Sequence, residues 1–195
     1  MHKLRLGVLG SGKGSNFRAI LEEIRAGRLD ARIVVVCSDV LDAGILALAR
    51  EAGIATAWIE ETGFRTRLST ECEEDLVERL RRAGVDLVVL AGYMRMLKAP
   101  MLEAFPRRII NIHPSLLPKF RGVEAWRRAL DAGETVTGCT VHFVDEGMDS
   151  GRIIDQAEVP IIPGDTPESL HARIQESEHR LYPEVIGRFV RGELP

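Results

Sequence analysis

The sequence predicts an α/β protein: a Rossmann-like, open, mostly parallel twisted sheet with helices on both faces and an antiparallel hairpin towards its C-terminal end. Three observations carry this reading. Short uninterrupted apolar runs, such as Ile33-Val34-Val35-Val36 and Leu87-Val88-Val89-Leu90, are the signature of strands buried on both faces. Segments with apolar residues at helical spacing alternate with them, as βα units require. Two late strand-like segments, 137–144 and 153–159, flank the polar turn Asp145 to Gly151 and read as a hairpin.

Taken in order, 4–9 is a short buried strand, followed by the loop Gly10-Ser11-Gly12-Lys13-Gly14-Ser15. Phe17, Ile20, Leu21 and Ile24 then repeat with helical period over 16–26, with Asn16 as the expected N-cap. A strand is expected over 32–37, a helix over 45–52 ending at Gly53, and a weaker strand over 54–59. A long amphipathic helix is expected over 67–83, ending at Gly84. Residues 86–91 are the next buried strand. A loop through Gly92-Tyr93-Met94-Arg95, a short helix at 100–104, a strand at 108–112 and a helix at 122–132 follow. The hairpin comes next, and then a long helical stretch over 167–191, expected to be interrupted near Pro183.

With 195 residues, 45% hydrophobic and 28% charged, the chain is expected to fold as one domain over 1–195 without disulfide help. The net charge of -3 implies no broad basic surface, so nucleic acid is not an expected partner. Cys37, Cys72 and Cys139 are far apart and form no C-x-x-C pair, which excludes a zinc ribbon or a thioredoxin-like site. The reading is reduced thiols in a cytoplasmic protein with no signal peptide and no membrane span. The five histidines show no metal-ligand spacing, so no metal is expected.

Two places carry chemistry. The Gly10 to Ser15 loop joins a buried strand to a helix N-terminus, where backbone N–H groups and the positive end of the helix dipole suit an anion. It fits neither the Walker A pattern, since Gly14 follows Lys13, nor the dinucleotide pattern, since Ser15 occupies the last glycine position. Asp39, after the second strand, is placed like a ribose-binding acid. The loop therefore points to a phosphate; the bland alternative is a tight turn that binds nothing. The second place is Asn111-Ile112-His113-Pro114-Ser115-Leu116-Leu117-Pro118, at the C-terminal end of a strand, where open α/β sheets bind ligands. Extended backbone points Asn111 and His113 to the same side, offering an oxyanion donor and an imidazole. Asp149, in the acidic turn, supplies a carboxylate to couple to His113. Ser115 as a nucleophile would need an oriented base and an oxyanion hole of its own. Against this, a lone histidine at a strand end is often structural, and the acidic turn alone reads as a polar loop.

These residues resemble a family. Asn111 to Pro118, with Asp149, is similar to the folate-dependent formyltransferases. Gly12-Lys13-Gly14-Ser15-Asn16, Leu90 to Arg95, and Gln175-Glu176-Ser177-Glu178-His179 with Tyr182-Pro183 resemble its glycinamide ribonucleotide branch. The resemblance runs from Leu4 to about Leu194. Phe120-Arg121-Gly122 resembles the corresponding loop of the methionyl-tRNA branch more closely. The resemblance implies a phosphate-binding half over about 1–100 and a folate and catalytic half over about 101–195. Gly14, Ser15 and Asn16 would hold the ribonucleotide phosphate, and Gln175 and Glu178 would position the same substrate. Arg67, Met94, Arg95, Met96, Leu97 and Asn111 would meet 10-formyltetrahydrofolate, the co-substrate. Asn111, His113 and Asp149 would form the catalytic trio. Small-molecule substrates are the implied partners, for a monomer or a homodimer. A methionyl-tRNA formyltransferase is expected to add a C-terminal domain for tRNA. A formyltetrahydrofolate hydrolase, which shares the trio, is expected to add an N-terminal regulatory domain. Neither is expected here. A non-catalytic nucleotide-binding module would explain the glycine loop and Asp39 but not the trio.

Overall fold

The computed structural model describes residues 3–61 and 63–194. A seven-stranded sheet runs through it in the order β3-β2-β1-β4-β5-β6-β7. Strands β1 (Leu4–Leu9), β2 (Ala31–Ser38), β3 (Thr56–Trp58), β4 (Leu87–Leu90) and β5 (Ile109–His113) are parallel. β6 (Val136–Phe143) and β7 (Ile153–Pro160) pair antiparallel, so the expected hairpin extends the sheet.

Alternation along the strands builds two apolar layers. Leu6, Val8, Val36, Leu87, Val89, Ile110 and Ile112 face one layer, with α1 (Ser15–Arg25), α2 (Gly44–Glu51) and α6 (Pro167–Val190) packed on it. Leu9, Val35, Cys37, Val88, Leu90 and Ile109 face the other, under α3 (Thr70–Arg82) and α4 (Ala99–Ala104). A side chain at Gly7 would collide with Leu80 and Val85, so glycine there lets the second layer close on β1. The last helix, α5 (Ala125–Asp131), packs Trp126 against the first layer.

The chain reverses its winding between β1 and β4. Such a switch point leaves a crevice outside the carboxyl ends of the strands. The loops after β1, β2, β4 and β5 all open there; they hold Gly14, Asp39 and Met94 to Leu97.

Four local expectations are corrected. The helix expected from Arg67 starts at Thr70, because the Ser69 hydroxyl accepts the Cys72 N–H at 3.2 Å and caps it. Arg67 instead lies in a short bridge to Met96. The N-cap of α1 is Gly14, at φ 82°, and Asn16 lies inside the helix. The helix expected from Gly122 begins at Ala125, because Gly122 and Glu124 both have positive φ. Finally, α6 runs unbroken through Pro183. Proline costs one backbone hydrogen bond, but Leu181, Tyr182, Val185 and Ile186 bury the surrounding turns.

Tyr182 anchors that helix to the sheet. Its fully buried hydroxyl lies 2.9 Å from the Leu90 carbonyl and 3.1 Å from that of Ile110, sharing its proton between them. Tyr182→Phe strands both acceptors and is expected to lower unfolding free energy by about 1–3 kcal/mol in urea titration, with the fold retained.

Candidate active site

β5 ends the parallel part of the sheet, and its last residues carry the chemistry. Asn111 pairs in register with His142 of β6, and the Asn111 Nδ2 amide donates to His142 Nε2 at 3.2 Å. His142 Nδ1 donates to the Phe143 carbonyl at 2.8 Å, which leaves Nε2 as the acceptor. Burial holds this imidazole below its ordinary pKa, against the opposing effects of the Phe143 bond and the Asp149 carboxylate. His142 is thus a neutral base that fixes which way the Asn111 amide points, leaving its second N–H to serve a ligand.

His113 stands two residues on. Its Nε2 donates to the Phe120 carbonyl at 2.9 Å, and Nδ1 faces Asp149 Oδ2 at 3.3 Å. The ring thus lies between a backbone carbonyl and a carboxylate. The same Asp149 oxygen accepts the Gly122 N–H at 2.8 Å, while Oδ1 lies 3.7 Å from His142 Nε2. Asp149 adopts φ 49°, a left-handed conformation that aspartate tolerates better than most side chains, and this turns its carboxylate onto the two imidazoles. The amide, imidazole and carboxylate read from the sequence therefore converge. His142 was not foreseen. Its strand alternation looked ordinary, and only the β5–β6 register places it opposite Asn111.

The segment after His113 is strapped down. Thr140 Oγ1 donates to the Ser115 carbonyl at 2.6 Å and accepts from Leu117 N at 3.0 Å. Gln156 Nε2 donates to the Leu117 carbonyl at 3.0 Å. Ser115 is fully buried and gives its hydroxyl to the Lys119 carbonyl at 2.6 Å, which makes it a structural residue and no nucleophile.

The glycine loop forms the second centre. Gly14 packs so closely on Ile45 that a Cβ would sit 3.0 Å from its backbone, and no side chain caps α1. The first turn of α1 also lacks an acidic residue. An uncapped helix N-terminus beside Lys13 retains its attraction for an anion. Asn16, in that turn, donates Nδ2 to Glu178 Oε2 at 2.9 Å, joining α1 to α6 across 162 residues, and its buried Oδ1 has no partner among the described residues. Burial pushes the Glu178 carboxyl up from 4.5 to about 7, with the Asn16 amide opposing. Gln175 lies one turn earlier on α6 and is half-buried.

The remaining residues lie along the loop after β4. Met94 is largely exposed and Leu97 is buried. Arg67 is exposed, its guanidinium 3.9 Å above the Phe64 ring. The Arg95 side chain turns away from solvent to pair with Asp39 at 2.8 Å, so the acid that resembled a ribose ligand is already engaged. Among the described residues no cluster of three His, Cys, Asp or Glu side chains is placed to hold a metal. No described helix is long and apolar enough to cross a membrane.

The fold is that of a formyl transferase: residues 4–186 match the Formyl transferase family, and the chain belongs to it. The trifunctional purine biosynthetic protein adenosine-3 of Drosophila pseudoobscura pseudoobscura is 46% identical, over 97% of this chain and 14% of that much longer protein. The phosphoribosylglycinamide formyltransferase of Haemophilus influenzae is 41% identical, over 97% of this chain and 89% of its own length. Among solved structures, glycinamide ribonucleotide transformylase 1 from Symbiobacterium toebii is 53% identical with a TM-score of 0.93, covering 98% of this chain and 89% of that one.

Glu178 makes the site's electrostatics measurable. Its proton is held more tightly in the folded than in the unfolded chain, so its stabilising contribution is complete below pH 4.5 and lost as pH rises through about 7. Glu178→Gln does not titrate. Its unfolding free energy relative to the parent is expected to rise by up to about 3 kcal/mol between roughly pH 5 and pH 8. Denaturant titrations at several pH values measure this, and a flat difference would show that the carboxyl is not strained by burial.

Proposed function

We propose that the chain transfers the formyl group of 10-formyltetrahydrofolate to the amine of N1-(5-phospho-D-ribosyl)glycinamide, yielding the N-formyl product and tetrahydrofolate, a step of de novo purine (IMP) biosynthesis. The observation that carries this reading is the convergence of Asn111, His113 and Asp149 at one end of a crevice whose other end is an uncapped helix N-terminus. The near full-length likeness to the Haemophilus influenzae enzyme supports it.

The amine attacks the formyl carbon directly, and a tetrahedral oxyanion develops. The free N–H of Asn111 donates to it, aimed by the bond to His142. A donor of this kind contributes roughly 2.7–4 kcal/mol in acyl transfer. His113 stands beside it, with the Asp149 carboxylate 3.3 Å from its Nδ1. Folate N10 must take a proton to leave. The sequence suggests His113 as the direct acid, but both ring nitrogens are engaged by protein oxygens. The proton lost by the attacking amine therefore passes to N10 through a water ordered at the Asp149 carboxylate, beside His113, as the C–N10 bond breaks and the oxyanion collapses to the new formamide. Gly14, Ser15 and Asn16 take the phosphate, and Gln175 and Glu178 meet the ribose side. Arg67, Met94, Arg95, Met96, Leu97 and Asn111 border the folate.

The deciding assay follows folate deformylation by absorbance, with and without the ribonucleotide. Turnover that requires it, with formyl recovered on its amine, is the expected result. Equal turnover without it, releasing formate, would mark a hydrolase instead. Asp149→Asn is expected to reduce turnover by about 100-fold or more while ribonucleotide affinity stays within a few-fold. Asn16→Asp sets a second carboxylate against Glu178 and the phosphate. It is expected to raise the ribonucleotide KM by about tenfold or more with little change in folate KM, as read from steady-state kinetics.

A further inference from the structure

Building on the reading above, we propose that Ser11, Asp39 and Arg95 are positioning residues: a buried relay that carries the geometry of the glycine loop to the loops bordering the folate. The Ser11 hydroxyl donates to Asp39 Oδ1 at 2.5 Å and accepts the Met94 N–H at 2.9 Å. Asp39 Oδ2 accepts from Arg95 Nε at 2.8 Å. Arg95 Nη1 then donates to the Phe64 carbonyl and, at 3.1 Å, to that of Arg67. Only 6% of the Asp39 side chain and 12% of that of Arg95 is exposed.

Four segments are held by three side chains. Ser11 lies three residues before Gly14; Asp39 follows β2; Met94 and Arg95 follow β4; Phe64 to Arg67 precede α3. The last segment is also held by the Arg67–Met96 bridge and by the Arg67 guanidinium over the Phe64 ring. The described hydrogen bonds add Met96 N to the Thr66 carbonyl and the Glu61 carboxylate to the N–H groups of Gly63, Phe64 and Ser69. Arg95 is suited to the task because its planar guanidinium reaches a carboxylate and two carbonyls at once, which a lysine ammonium cannot match in geometry. A buried charge left unpaired would be costly, so the network holds or fails together. The Arg95 side chain thus acts on the folate through the 64–67 backbone.

Steady-state kinetics with both substrates test this. Arg95→Gln breaks only the 64–67 arm and is expected to raise folate KM about tenfold, with ribonucleotide KM moving less than twofold. Asp39→Ala breaks both arms and is expected to raise both KM values. Adding Arg95→Gln to Asp39→Ala should raise folate KM little further, because the arm is already broken. Asp39→Asn, which keeps the shape and removes the charge, replaces Asp39→Ala if that variant does not fold. In the ligand-free proteins, amide exchange at 64–68 should quicken in Arg95→Gln while α3 and β4 stay protected. Additive folate effects, equal shifts in both KM values for Arg95→Gln, or unchanged exchange at 64–68 would each overturn the relay. Absence of formyl transfer by the parent chain would instead refute the proposed function, and the exchange result would still decide whether the relay holds that segment.

Discussion

The antiparallel pairing of β6 with β5 is the constraint on which the site depends. In a wholly parallel sheet the chain leaving β5 would return through another helix, and the crevice would hold only loops. Here β6 runs back beside β5 in a register that sets His142 against Asn111 and Thr140 against His113. The connection to β7 leaves beside the start of β5, next to Ile109, and folds back to bring Asp149 to His113. Thr140 also straps the segment after His113, so one strand orients the amide, secures the backbone behind the imidazole and leads to the carboxylate.

Two imidazoles in this small volume meet different partners. His142 is buried, gives its one proton to a carbonyl and accepts from an amide. His113 meets an acceptor at each nitrogen. Asp149 touches both, but its Oδ2 also takes the Gly122 N–H, which ties the carboxylate to the 119–124 loop. The charge distribution is set before a ligand arrives, which is what electrostatic preorganisation requires.

The glycine loop works by omission. Gly14 replaces the polar cap that a helix start usually carries, and Asn16, whose type suits a cap, is drawn into the helix to hold Glu178. The first-turn amides are left to an anion. The strained carboxyl of Glu178 and Asn16 Oδ1, which has no partner among the described residues, lie where the substrate is expected.

The sequence by itself determined the order and type of the elements, because a sheet covered on both faces demands continuous apolar strands and its helices demand a 3.6-residue repeat. It also exposed the trio, since amide, imidazole and carboxylate stood out at a strand end and in an acidic turn. Starts and interruptions of helices were less legible: Ser69 and Gly14 won as caps over Arg67 and Asn16 through local geometry, and packing carried α6 through Pro183. What only the tertiary structure decided is which distant side chains meet. Strand register brought His142 to Asn111, helix packing brought Asn16 to Glu178, and the close approach of four loops turned Arg95 inward to Asp39. Periodicity records which face of an element is buried, but it holds no information on the partner across the gap.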